Sequence, residues 1–211
     1  MTLVKICGIT NTQDALVAVS HGADMLGFVF YQKSARCMTV EKTHEIVAQL
    51  ELDSQHIRPH LIGVFVDEQP AVVSQTLDTC GLDYAQLHGS EPPEMVTDLM
   101  NSGYGVIKAF RVKGAATLGE IACFGASAFL LDAFVPGQPG GTGHAFDWAL
   151  AAEAAQYGPV VLAGGLTPGN VTEAIQVARP WAVDVSSGVE ASPGKKDVAK
   201  MRRFIHAAKS V

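Results

Sequence analysis

Long apolar runs are missing from this sequence, and so are long basic ones. No stretch stays apolar for the roughly 20 residues that a helix needs to cross a bilayer, so no membrane span is expected. The start has no basic segment leading into a long apolar core and a small-residue cleavage site, so no export signal is expected. Lysine and arginine never run longer than the pairs Lys195-Lys196 and Arg202-Arg203, and the net charge is −6 with an isoelectric point near 5.6. That balance argues against a nucleic-acid surface, which needs clustered positive charge. It leaves room for a small anionic ligand, because helix N-termini and loop amides bind anions without any net positive charge. Cysteine is scarce: Cys7, Cys37, Cys80 and Cys123 are scattered and form no CxxC pair. Neither a disulfide nor a zinc framework is expected, and the pattern fits a reducing cytoplasm. The seven histidines show no HExxH spacing, and no metal ion or other cofactor is expected. A Walker loop is absent too, since Gly188 and Gly194-Lys195 are one residue too far apart and no Ser or Thr follows the lysine.

What the chain does have is alternation. It holds 211 residues, 48% apolar and only 17% charged, ample for one sizeable core and short for two full domains. Short aliphatic runs, as expected of strands buried on both faces, occur at Leu3–Cys7, Met25–Phe30, Leu61–Val66, Tyr84–Leu87, Val106–Phe110, Ala128–Leu131, Val160–Ala163 and Ala182–Val185. Between them lie helix-like stretches at Thr12–His21, Val40–Leu50, Pro70–Thr79, Pro93–Ser102, Ala115–Phe124, Asp147–Tyr157, Gly169–Ala178 and Asp197–Ala208. Pro70 and Pro93 suit a first helical turn, and Asp197 suits a cap. A doubly wound open sheet and a closed barrel both accept this alternation. The count of eight units, at about 26 residues each, favours a single (βα)8 TIM barrel spanning residues 1–211. The loop-like segment Phe134–Gly143 is too short to divide domains.

In such a barrel the site lies where the strands end, and there the polar residues collect. Gly164-Gly165 follows the seventh run and Ser186-Ser187-Gly188 the eighth, the pair of loops that barrels often use to bind phosphate. Cys7 ends the first run and Asp132 follows the sixth, a candidate acid/base pair. A thiolate is a competent base where nearby positive charge lowers its pKa, and Lys5 should share the Cys7 face of the strand. A cysteine there also serves as simple filling, and an aspartate as a cap. Arg36 offers a fork for a carboxylate or a solvated surface charge. Gln86 and His88 end the fourth run, His88 as acid/base, hydrogen-bonding wall or core histidine. Asp184 either holds sugar hydroxyls or caps its loop.

Several blocks now stand in order along the chain: Lys5-Ile6-Cys7-Gly8-Ile9-Thr10, Gly27-Phe28-Val29-Phe30, Gln86-Leu87-His88-Gly89, Leu130-Leu131-Asp132, Gly140-Gly141-Thr142-Gly143, Phe146-Asp147-Trp148, Ala163-Gly164-Gly165-Leu166 and Asp184 through Glu190. Together they resemble the phosphoribosylanthranilate isomerase family of tryptophan biosynthesis, from near residue 3 to near residue 200. The resemblance implies a cofactor-free Amadori rearrangement of N-(5-phosphoribosyl)anthranilate to an aminoketose by a monomer or homodimer. It implies Asp132 as general acid, Cys7 as general base, Arg36 on the anthranilate carboxylate and Asp184 on the sugar hydroxyls. Gly164, Gly165, Ser186, Ser187 and Gly188 would hold the phosphate, with Gln86, His88 and Gly141 completing the substrate contacts. Two departures stand out: members commonly carry prolines in the loop where this chain has Gln32 and Ala35, and many have a lysine or other polar residue where it has His144. Other phosphosugar barrels fit less well. A neighbouring indole-glycerol-phosphate synthase should need a longer N-terminal extension, and a histidine-pathway isomerase an aspartate at Cys7. A non-enzymatic phosphosugar-binding barrel would not need Cys7 and Asp132 together.

Overall fold

The eight aliphatic runs form strands β1 Leu3–Cys7, β2 Met25–Val29, β3 His60–Phe65, β4 Tyr84–Leu87, β5 Gly105–Arg111, β6 Ala128–Asp132, β7 Val160–Ala163 and β8 Ala182–Val185. The computed structural model describes residues 1–52, 55–112, 114–132 and 148–211. In it the strands pair in chain order, all parallel, and close through β8 on β1, with Lys5 beside Asp184. The helices between and after them are α1 Thr12–Ser20, α2 Val40–Glu51, α3 Pro70–Cys80, α4 Pro93–Asn101, α5 Ala116–Ile121, α6 Trp148–Ala154, α7 Val171–Ala178 and α8 Val198–Lys209. The expected barrel is therefore the observed one.

Two-residue periodicity sorts each strand into layers. Val4, Ile6, Leu26, Phe28, Val106, Phe110, Phe129 and Leu131 face outward and join the helices in the larger core cluster. Met25, Ile62, Ile107, Ala128, Leu130, Val161 and Ala182 fill the barrel itself. The strands therefore read as unbroken apolar runs, because both faces are buried. Towards the C-terminal ends several inward positions turn polar, among them Gln86, Asp132 and Asp184, and that switch opens the site.

Most differences from the expected boundaries have local causes. The helix expected to begin at Gly169 begins at Val171, because the Asn170 side chain is spent on the preceding turn: its Oδ1 accepts from the Thr167 amide at 2.8 Å. The helix expected to reach Tyr157 stops at Ala154, where Ala155, Gln156 and Tyr157 tighten into three-residue hydrogen bonds. The start expected for it at Asp147 lies outside the described residues, as do the Phe134–Gly143 loop, His144 and Phe146. The stretch expected over Ala115–Phe124 is helical only over Ala116–Ile121, and it has no side-chain cap at its start. After β8 come features that the alternation does not announce: a single 3-10 turn at Ser187–Val189 and a small antiparallel pair, β9 Glu190–Ser192 with β10 Lys195–Lys196. Among the described residues, no helix is long and apolar enough to cross a membrane.

Asp197 is the cap that its sequence position promised, its Oδ1 accepting from the Lys200 amide at 2.9 Å. Asp197→Ala should lower stability by about 1 kcal/mol, the usual worth of such a cap. Urea unfolding followed by circular dichroism measures it.

Candidate active site

A cavity of about 300 Å³ opens where the strands end. Cys7, Arg36, Gln86, His88, Asp132, Gly164, Gly165, Asp184, Ser186, Ser187 and Gly188 all line it. They come from both ends and the middle of the chain, and barrel closure brings them together. Gly141 lies outside the described residues.

Cys7 sits at the C-terminal end of β1 with its side chain buried. Burial pushes its thiol above the ordinary cysteine value, Lys5 and Lys196 pull it down, Asp184 pushes it up, and the net direction is upward. The nearby lysines are thus present, but they do not bring the thiol below its usual range. Burial outweighs them because a thiolate loses more solvation here than two partly neutralised ammonium groups return.

Asp132 ends β6, and its Oδ2 faces His88 Nε2 at 3.5 Å. On the other side of that ring, Nδ1 lies 3.0 Å from the Gln86 amide nitrogen. Gln86, His88 and Asp132 therefore form a row across the cavity wall, which sets the ring plane of His88. The Gln86 carbonyl oxygen is buried and has no partner among the described residues. A buried acceptor left unpaired costs about 1–3 kcal/mol, and a ligand hydroxyl at this wall would satisfy it.

Arg36 lines the cavity, but one edge of its guanidinium is already taken. Nε and Nη2 donate to the two carboxylate oxygens of Glu190 at 2.7 and 2.6 Å. That hydrogen bonding raises the arginine further above its ordinary value. Burial alone would raise the Glu190 carboxyl, yet Arg36 and Lys196 hold it below its usual range. Lys196 is buried beneath and donates to Glu190 at 3.1 Å, to the Cys7 carbonyl at 2.6 Å and to the Ser186 carbonyl at 3.2 Å. A ligand carboxylate would meet the remaining edge of a guanidinium that Glu190 aims. Asp184 is likewise half engaged, with Oδ1 accepting from Lys5 Nζ at 2.9 Å.

Sequence reasoning gave neither Glu190 nor Lys196 a role in the site, although Glu190 closes one of the blocks that carry the resemblance. Nothing local marks them, since their partners lie up to 189 residues away. It also missed the apolar wall of Val29, Val64 and Tyr31 that packs beside Cys7. The inward parity of Val29 and Val64 at strand ends was the one available signal. Opposite this wall, Gly164 and Gly165 turn the chain with φ of 85° and 67°, a conformation that side chains with a Cβ rarely adopt. Their loop packs directly against the 3-10 turn of Ser187–Val189, where a Cβ placed at Gly188 would collide with the Leu166 carbonyl oxygen.

The site thus has an apolar end, a carboxylate–imidazole middle and a glycine–serine end, and known proteins share its frame. The profile of the N-(5'phosphoribosyl)anthranilate (PRA) isomerase family matches residues 4–207. The chain is 50% identical over 209 residues to the N-(5'-phosphoribosyl)anthranilate isomerase of Geobacter sulfurreducens, covering 99% of both chains. The phosphoribosyl anthranilate isomerase structure from Thermotoga maritima superposes with a TM-score of 0.89 at 42% identity, over 100% of both chains. A further phosphoribosyl anthranilate isomerase structure is similar at a TM-score of 0.86 and 40% identity, also over 100% of both chains, and was solved in complex with reduced 1-(o-carboxyphenylamino)-1-deoxyribulose 5-phosphate. With so much of its length matched at such identity, the chain belongs to the phosphoribosylanthranilate isomerase family of enzymes.

Proposed function

We propose that this chain isomerises N-(5'-phosphoribosyl)anthranilate to the corresponding aminoketose in tryptophan biosynthesis, with Asp132 as general acid and Cys7 as general base. The observation that carries the reading is that both groups line one cavity whose two ends differ in character. The ligand of the similar complex joins a carboxyphenyl group, a five-carbon chain and a phosphate. Val29, Val64 and Tyr31 suit the aromatic ring, and Arg36 suits its carboxylate. Gly164, Gly165, Ser186, Ser187 and Gly188 suit the phosphate, with backbone amides and hydroxyls as donors. Asp184 and Gln86 retain acceptor oxygens for sugar hydroxyls.

The chemistry needs two proton movements. Asp132 gives a proton to the ribose ring oxygen; the bond from that oxygen to the anomeric carbon breaks and leaves an iminium ion. Cys7 then removes the proton from the neighbouring carbon. The electron pair of that C–H bond becomes a carbon–carbon double bond, and the iminium nitrogen regains its lone pair. The resulting enolamine tautomerises to the ketone. His88 stands beside Asp132, with Nε2 3.5 Å from Oδ2, and supports the orientation of the proposed acid.

Two expectations follow. Because the thiol of the empty enzyme is raised above its ordinary value, the thiolate fraction grows with pH. Proton removal by Cys7 therefore gains as pH rises while proton donation by a general acid loses, so kcat/KM should be bell-shaped, and Cys7→Ser should lose the limb that the thiol sets. Limbs left unchanged by Cys7→Ser would contradict the assignment. The direct test supplies freshly made phosphoribosylanthranilate and follows its fluorescence as it is consumed, with the parent protein and Cys7→Ser side by side. Rapid consumption by the parent alone supports the reading. No consumption by the folded parent overturns it in favour of another phosphosugar ligand.

A further inference from the structure

Lys5 is fully buried inside the barrel, in register with Met25 of β2 and Asp184 of β8, where most of the filling side chains are aliphatic. It lies two residues before Cys7 on β1, so both side chains point inward. β2 makes room for them. Gly27 pairs with Cys7, and a Cβ placed at Gly27 would lie 2.9 Å from Cys7 Sγ and 3.0 Å from Lys5 Nζ. The sulfur and the ammonium therefore converge over the one residue of β2 that has no side chain. Asp184, the register partner of Lys5 on β8, holds the ammonium from the other side at 2.9 Å.

The charges around Cys7 can be followed element by element. Lys5 comes from β1, Asp184 from β8, Lys196 from β10, Glu190 from β9 and Arg36 from the loop after β2. Asp132 and His88 line the same cavity from β6 and the end of β4. The first group holds three cations and two carboxylates, an excess of one positive charge that an ionised Cys7 balances. A lysine–aspartate pair buried solely for stability is a poor bargain, since desolvation consumes much of the attraction. Here the pair has a third member.

We propose that Lys5 is a positioning residue for Cys7: its ammonium, anchored by Asp184 and admitted by Gly27, is the counter-ion that holds the Cys7 thiolate towards the substrate. No bond to Lys5 forms or breaks; it stays protonated while the thiolate takes up the substrate proton. Asp184 works on Cys7 in the opposite sense, since its carboxylate offsets part of the lysine charge. The purpose assigned to Lys5 rests on the isomerase reading, whereas its effect on the sulfur is measurable without any substrate.

The experiment follows alkylation of Cys7 by iodoacetamide against pH, read on the Cys7 peptide by mass spectrometry so that the other cysteines do not contribute. Lys5→Met should move the midpoint up by ~1–3 pH units, or slow alkylation ~10–1000-fold at a fixed neutral pH. Asp184→Asn should move it down. A merely structural pair would shift both variants alike or neither. An unchanged or lowered midpoint in Lys5→Met overturns the proposal, and so does an unchanged or raised one in Asp184→Asn. If Lys5→Met fails to fold, Lys5→Gln reads the same shift, because Asp184→Asn by itself acts on the thiol whether or not Lys5 does. Turnover of phosphoribosylanthranilate is measured in parallel. Failure of the parent protein to turn over, with the midpoints moving as expected, sinks the isomerase reading and leaves the coupling between Lys5 and Cys7 intact.

Discussion

Asp132→Asn is expected to turn over phosphoribosylanthranilate roughly 10²–10⁴-fold more slowly than the parent protein, the usual worth of one positioned acid or base. The amide keeps the size and the hydrogen-bonding reach of the carboxyl but has no proton to give to the ribose ring oxygen. The glycine–serine end of the cavity, proposed for the phosphate, follows β7 and β8 and is not touched by the change. Binding of an unreactive sugar phosphate should therefore survive, and kcat should fall while KM moves little. Calorimetric titration with the reduced product, beside steady-state kinetics, separates the two. Cys7→Ser should show the same split, since a serine hydroxyl is far too weak a base to replace the thiolate. Rates near those of the parent in both variants would end the proposed mechanism.

The second large effect lies outside the cavity. Lys108 on β5 and Glu91 in the loop after β4 form an ion pair at 2.8 Å with side chains only 3% and 2% exposed. The ammonium also donates to the Gly89 carbonyl at 2.8 Å and sits 5.7 Å from the centre of the Phe110 ring. Glu91 in turn accepts from the amides of Asp67 and Gly89. The pair thus knots together the loops that follow β3 and β4, immediately beside His88. Lys108→Met leaves a buried carboxylate without its cation and should lower stability by about 3–5 kcal/mol, a large part of the 5–15 kcal/mol that typical domains possess. Lys108→Met combined with Glu91→Gln should recover part of that loss, because the stranded charge goes with its partner. Urea unfolding of the two variants tests this. A loss below about 1 kcal/mol for the single change would show that water reaches the pair.

The architecture was legible because strands buried on both faces cannot hide. Tyr84–Leu87, Val160–Ala163 and Ala182–Val185 have the same ends in the sequence reading and in the structure. Cys7 and Asp132 were legible as strand-end residues, a position that acquires meaning once a barrel is assumed. Glu190 and Lys196 were not, because their roles depend on a turn and a two-strand hairpin that break the strand–helix rhythm. The electrostatic direction at Cys7 was out of reach for a related reason. A lysine two residues before a thiol suggests a lowered pKa, and only the completed fold shows that burial outweighs it and Lys196 together. Likewise, the sequence offers Arg36 as a free fork, and the structure gives half of that fork to Glu190.

The bond from Lys196 to the Cys7 carbonyl spans 189 residues, and its reach sets a timetable for synthesis. A chain leaving the ribosome displays β1 long before the strand that closes the barrel on it and the lysine that ties down its end. Growing chains halted before Lys196 hold the cysteine without its surroundings, so enzyme activity should emerge in one step once Lys196 is in place rather than build up with length. Contacts of such long range also slow folding, because the ends of the chain must meet before the ring is complete.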